Sequence, residues 1–108
     1  MTDGAAIEAF LEMMSAERGA SPNTLSAYSR DLMDVSASLR GKAVGADTPD
    51  LERCLSGFAN AGLAASTAAR KLSALKQFYT FLQVDGARRD NPAMNLRGPK
   101  QGRPLPKI

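Results

Sequence analysis

Apolar residues return at helical spacing in four separate stretches of this chain, and that pattern directs it toward a bundle of packed helices. Ile7, Phe10, Leu11 and Met14 fall at i, i+3, i+4 and i+7 and make one stripe, predicting a helix from about Asp3 to Arg18 that Gly19 stops. Ser21-Pro22 then places a cap hydroxyl ahead of a proline whose missing N–H costs nothing at the first helical position. Behind that start, Leu25, Tyr28, Leu32, Val35 and Leu39 share a narrow arc, while Asn23, Ser26 and Arg30 project from the opposite side. Gly41 and Gly45 bound a loop, and Asp47-Thr48-Pro49 opens a third helix by the same cap-then-proline logic. Its stripe is Leu51, Cys54, Leu55 and Phe58, and Gly62 ends it.

The fourth stretch is the most informative. Ser66 is expected to cap it, with Ala68, Leu72, Leu75, Tyr79 and Leu82 facing inward and Phe78 widening that arc. On the other side Ser66, Arg70, Ser73 and Gln77 share a face about 60° wide at 100° per residue, flanked by Lys71 and Lys76. Phe81 lies outside the apolar arc and is expected to touch a second neighbour such as the C-terminal tail. After Gly86, Asn91-Pro92 reads as the start of one short helical turn, so four to five helices are expected in all. From Gly98 onward prolines and glycines alternate with basic residues, which reads as an extended linker. The expected organisation is a helical domain over residues 1–97 and a linker over 98–108 leading toward a further domain.

Length allows one core and no more: 108 residues make a single domain that needs neither disulfides nor metal. Leu, Ala and Met take the place of aromatics, which are 6% of the chain with no Trp, and this favours helix over sheet. The single cysteine excludes an internal disulfide and suits a reducing, cytosolic setting. No apolar run approaches the ~18 residues of a membrane span, so a membrane partner is not expected. Net charge is +3, unevenly distributed. Residues 1–60 carry five Lys/Arg against nine Asp/Glu, and residues 61–108 carry nine against two. A polyanion suits the second half, although a basic surface kept for solubility gives the same count.

The catalytic residues one would look for are missing. With no histidine, the Ser-His and Cys-His nucleophile pairs and His-built zinc sites are excluded. The glycines punctuate helices and form no phosphate loop. The carboxylates of the first half are expected on exposed helix faces, where a paired acid and base is not. Cys54 sits mid-stripe between Leu51 and Phe58 and is read as core packing, and Tyr28 and Tyr79 are read likewise. No enzyme active site, cofactor or metal is expected in this chain.

What remains is a surface suited to a phosphate backbone. The fourth helix offers Arg and Lys with shorter donors between them, and the second helix opens with free backbone N–H groups beside Ser21, Asn23 and Thr24. Two such helices side by side fit a major groove about 12 Å wide. Solvated helix faces, a helical protein-interaction module, or a stand-alone helix-turn-helix regulator would read similarly on these features alone.

A family resemblance adds to this. The run SPNTLSAYSRDL from Ser21 to Leu32 resembles the S-x-x-T-x-x-x-Y-x-x-D-L signature of the tyrosine recombinase N-terminal domain. The run from Ser66 to Leu82 resembles that family's T-x-x-R-x-L-S-A-L-R-x-F-Y-x-F-L helix, and Asn91-Pro92 with the later Gly-Pro-Lys and Leu-Pro-Lys resembles its exit toward the catalytic domain. Three motifs in order and at the family's spacing are specific where one alone is weak. The resemblance implies an all-α, SAM-like core-binding bundle that forms half of a clamp around a double-stranded recombination site. The Arg, Lys, His and Tyr that exchange strands would belong to a separate catalytic domain. Implied partners are the DNA site and a sister recombinase within a tetramer of the full-length protein, the isolated domain being a monomer. Carried over by position, the implied DNA contacts are Ser21, Asn23, Thr24 and Arg30 on the second helix. On the fourth they are Ser66, Thr67, Arg70, Lys71, Ser73, Lys76 and Gln77. Lys76 stands where the family usually has Arg, which keeps phosphate attraction but loses bidentate base recognition.

Overall fold

A computed structural model of the chain describes residues 1–96, so the expected linker at 98–108 lies outside the described residues. Those residues form four α-helices and no strand: α1 (Asp3–Arg18), α2 (Pro22–Ser38), α3 (Thr48–Asn60) and α4 (Ala65–Asp85). The caps explain the boundaries. Thr2 accepts from the Ala5 N–H at 3.1 Å to start α1, and Ser21 accepts from the Thr24 N–H at 3.1 Å to start α2. Asp47 and Asp50 satisfy each other's backbone N–H groups in a reciprocal capping box at the head of α3.

The start of α4 differs from expectation. Ser66 does not cap it; the N-cap is Ala64, with no side-chain hydrogen bond, and Ser66 lies exposed in the first turn. The cause is the preceding turn. Gly62, at φ +91°, donates to the Ala59 carbonyl while Leu63 donates to that of Phe58, the paired bonds of a Schellman motif. The chain is already turned at Ala64, so the next helix begins at once, with its first residues exposed to solvent. Beyond Gly86 the expected short helix is a pair of turns: Asn91 takes the Ala93 N–H on its side-chain oxygen, and Leu96 donates to the Ala93 carbonyl.

Helix α4 is the shared partner, packing against α1, α2 and α3, while α1 also packs on α2. Phe10, Leu32, Leu51, Ala74, Leu75, Phe78, Tyr79 and Leu82 are all at or below 2% exposure and form the core. Leu72, expected among them, is only partly buried. Phe81 finds its second neighbour on α1, with its ring 5.9 Å from that of Phe10.

Two carboxylates expected at the surface are inside. Asp3 continues the Ile7–Phe10–Met14 stripe by one turn and is 6% exposed. It accepts from the backbone N–H groups of Ala43 (2.9 Å) and Val44 (3.0 Å) and from the Ser36 hydroxyl, which pins the α2–α3 loop. The same loop is held from the other side. Arg88 donates to the carbonyls of Val44 and Ala46, both at 2.8 Å, and the Tyr79 hydroxyl donates to that of Ala43. The second buried carboxylate, Asp31, lies between α2 and α4.

Candidate nucleic-acid interface

Asp31 projects from α2 toward α4 and is 0% exposed. Its two oxygens accept from Arg70, Nε to Oδ2 at 2.8 Å and Nη2 to Oδ1 at 2.9 Å, a fork-on-fork pair between planar groups. The Lys71 ammonium approaches the same carboxylate from within, at 3.3 Å from Oδ1, and reaches Asp34 at 2.8 Å. Burial alone would push the Asp31 carboxyl up, but hydrogen bonds and charge from Arg70 and Lys71 outweigh it and hold the group below the ordinary carboxylate range. Arg70 is in turn held more firmly protonated by its hydrogen bond to Asp31.

The direction of that shift fixes a pH dependence. Because the folded-state pKa of Asp31 is depressed, its contribution to stability is complete above the unfolded value, near pH 4, and is lost as pH falls through the lower folded value. Thermal unfolding followed by circular dichroism should therefore be insensitive to this group from pH 7 to 5 and fall below about pH 4. An Asp31→Asn chain should show a shallower acid fall. An acid limb of equal steepness in both would rule this assignment out.

Of the residues expected to meet DNA, Lys71 is in the wrong place. Its side chain is 3% exposed, and its ammonium sits 4.9 Å from the centre of the Phe58 ring with both carboxylates around it. It is an internal strut between α2, α3 and α4, unable to reach a phosphate. Arg70 keeps 41% of its side chain exposed despite the pair with Asp31. Its Nη1 and one N–H of Nη2 make no hydrogen bond among the described residues.

Ser73 and Gln77 are half-buried members of a network instead of a free ridge. Gln77 donates to the Tyr28 hydroxyl (3.0 Å) and to Ser73 (3.3 Å), and the Tyr28 and Ser73 oxygens lie 3.4 Å apart. The Gln77 side-chain Oε1 accepts from Arg18 at 3.0 Å, so an exposed arginine of α1 joins the same face. That residue was absent from the sequence-based set because it belongs to a different helix. Ser66 is exposed and Thr67 half-buried on the first turn of α4, and Lys76 is half-buried with no ion pair among the described residues. On α2, Ser21 and Asn23 are exposed, Thr24 is half-buried and hydrogen-bonded to Ser21, and Arg30 is exposed without an ion pair among the described residues.

Basic residues of the second half are thus partly consumed inside the fold. Lys71 is buried, and Arg88 is tied to loop carbonyls, to Asp90 and to the face of the Tyr79 ring. Among the described residues Arg70, paired with Asp31 where α2 meets α4, stays partly outside, as do Arg18 beside Gln77, Arg30 on α2 and Lys76 on α4. Cys54 is buried, and burial pushes its thiol up, away from the reactive thiolate. None of the four helices is long and apolar enough to cross a membrane.

Comparisons with known proteins agree with the motifs. The chain is 53% identical over 112 aligned residues to tyrosine recombinase XerD of Rhizobium meliloti, covering 99% of this chain and 36% of that protein. It is 50% identical to XerD of Agrobacterium fabrum, over 97% of this chain and 33% of that one. Similarity extends to XerC of Erythrobacter litoralis, at 52% identity over 95% of this chain and 33% of that protein. The chain therefore spans about a third of the length of these relatives. No solved structure matches it. The model of the phage integrase N-terminal SAM-like domain matches residues 7–86, from the first stripe of α1 to the glycine that ends α4, and the chain belongs to that family.

Proposed function

We propose that this chain grips double-stranded DNA as the N-terminal part of a site-specific tyrosine recombinase, with α2 and α4 laid against the recombination site. The observation that carries this reading is Arg70, anchored at the α2–α4 seam by a buried carboxylate yet still exposed with donors to spare. Ser21, Asn23, Thr24 and Arg30 at the start and along α2, with Ser66, Thr67, Ser73 and Lys76 on α4, supply the mix of cations and short donors that phosphate contacts use, while Gln77, its two amide N–H groups given to Tyr28 and Ser73, braces that face. Lys71 is left out of the contact set. Its place in this reading is beneath the surface.

In the whole protein, strand cleavage and rejoining would fall to a catalytic domain beyond this chain, and the helical bundle would bind and position the site. The similarity to XerD supports a role in resolving chromosome dimers before cell division, in the cytoplasm, with an XerC-like partner recombinase completing a tetramer on two DNA sites. No cofactor or metal enters this reading.

The test is a titration of the chain with duplex DNA at several salt concentrations, read by fluorescence anisotropy. Removing one side chain that neutralises a phosphate should flatten the log–log salt slope by about 0.9. Arg30→Ala and Lys76→Ala are each expected to do so, weakening binding to every sequence alike. Binding that ignores salt, or no binding to any duplex, would point to a protein-interaction module instead.

A further inference from the structure

We infer that Asp31 is a positioning residue for base recognition: from inside the fold it fixes the guanidinium of Arg70 so that a second fork faces the DNA. The inference rests on the DNA-binding reading above and deepens it, assigning Arg70 to a guanine edge and Asp31 to the orientation of that contact.

The geometry of the guanidinium is decisive. An arginine has five N–H donors in one plane. Asp31 takes two of them, along the edge formed by Nε and Nη2, at 2.8 and 2.9 Å. Of the three N–H left, one on Nη1 and one on Nη2 form the end-on fork, and its spacing matches the paired O6 and N7 acceptors that guanine presents in the major groove. A free arginine must surrender side-chain freedom to make such a contact, whereas a guanidinium already held in plane has little left to lose. The holding group is itself buried and paired on both sides. Asp31 is 0% exposed, the buried Lys71 ammonium lies 3.3 Å from its Oδ1, and hydrogen bonds from Arg70 and Lys71 favour its ionised form. Arg70 has no comparable restraint from any other described residue. By contrast Lys76, also on α4, has no carboxylate partner among the described residues and no planar fork, so it serves as a point charge.

The two roles separate in a selection experiment. The 108-residue chain and its variants are incubated with a random-sequence duplex library, and the bound fraction is sequenced. Binding to a single unselected duplex is measured in parallel against salt. The parent chain should enrich guanine at one position at least, and Arg70→Ala should abolish that preference. Asp31→Asn should lose the same preference by about tenfold or more, while its affinity for the unselected duplex stays within about threefold and its salt slope is unchanged. In the Arg70→Ala background, Asp31→Asn should change nothing further. Should Asp31→Asn fail to fold, the Asp31→Asn/Lys71→Met chain removes both buried charges together and carries the same expectation. A guanine preference that survives in the Asp31 variants, or an equal loss of binding with and without Arg70, overturns the positioning role while leaving DNA binding intact. Failure of the parent chain to bind any duplex in a salt-dependent way would instead overturn the reading on which it rests.

Discussion

Replacing Lys71 by alanine should destabilise the chain by about 3–5 kcal/mol, the usual cost of breaking a buried ion pair, yet leave the salt slope of DNA binding unchanged. Two carboxylates at 3.3 and 2.8 Å lose their shared cation, and the contact of that cation with the face of the Phe58 ring goes with it. Arg70 still neutralises Asp31 from outside, which places the loss toward the lower end of that range. Lys76→Ala is the contrast: one residue class, one helix, and the reverse pattern of effects. With no ion pair among the described residues it should cost about 0.5 kcal/mol or less in stability while flattening the salt slope. Urea unfolding monitored by circular dichroism gives the first quantity and anisotropy titrations the second. A flattened salt slope in the Lys71 variant with unfolding unaltered would put that ammonium at the surface and invert the description of α4.

Lys71 also shows how far the sequence could be read and where it misleads. The four stripes, the caps at Ser21 and Asp47, and the glycine stops at positions 19 and 62 were all legible, because each follows from local rules about spacing and backbone conformation. The position of Lys71 was also written there. It precedes Leu75, Phe78 and Leu82 by four, seven and eleven residues, the spacing of one buried stripe, but its charge argues for solvent. Asp3 stands in the same relation to Ile7, Phe10 and Met14, and Asp31 falls three residues after Tyr28 and four before Val35, on the same arc. Periodicity told the truth about all three. What one chain read in order could not supply was the partner, since the ions meeting in the seam lie on α2 and α4, about forty residues apart. The same limit hid Arg18, whose place on the candidate surface depends on α1 ending beside Gln77. For Ser66 the failure was different in kind: its hydroxyl had the right chemistry for a cap, but the turn at Gly62 started the helix before reaching it.

Phe10→Ala should be as damaging as the Lys71 variant, at about 3–5 kcal/mol for deletion of a fully buried aromatic, and it should also disturb the proposed DNA-binding seam from a distance. Phe10 is 0% exposed, and its ring lies 6.5 Å from that of Tyr28, 5.7 Å from Phe78 and 5.9 Å from Phe81. One side chain of α1 thereby rests against both α2 and α4. The Tyr28 ring that it supports carries the hydroxyl to which Gln77 donates, and Gln77 in turn takes the hydrogen bond from Arg18. Removing the ring leaves a cavity at the junction of three helices, and the polar network above it loses the floor that sets the Tyr28 hydroxyl against Ser73. In a domain whose total stability is about 5–15 kcal/mol, a loss of that size lowers the thermal midpoint by roughly 15 °C or more. Phe10→Leu keeps most of the apolar volume and should retain both the fold and DNA binding, with a smaller fall in midpoint. Circular dichroism melts of the two variants, paired with anisotropy titrations well below each midpoint, separate packing from DNA contact. A Phe10→Ala chain as stable as its parent would mean that α1 is not held against α2 and α4 by this ring, and the seam would need another foundation.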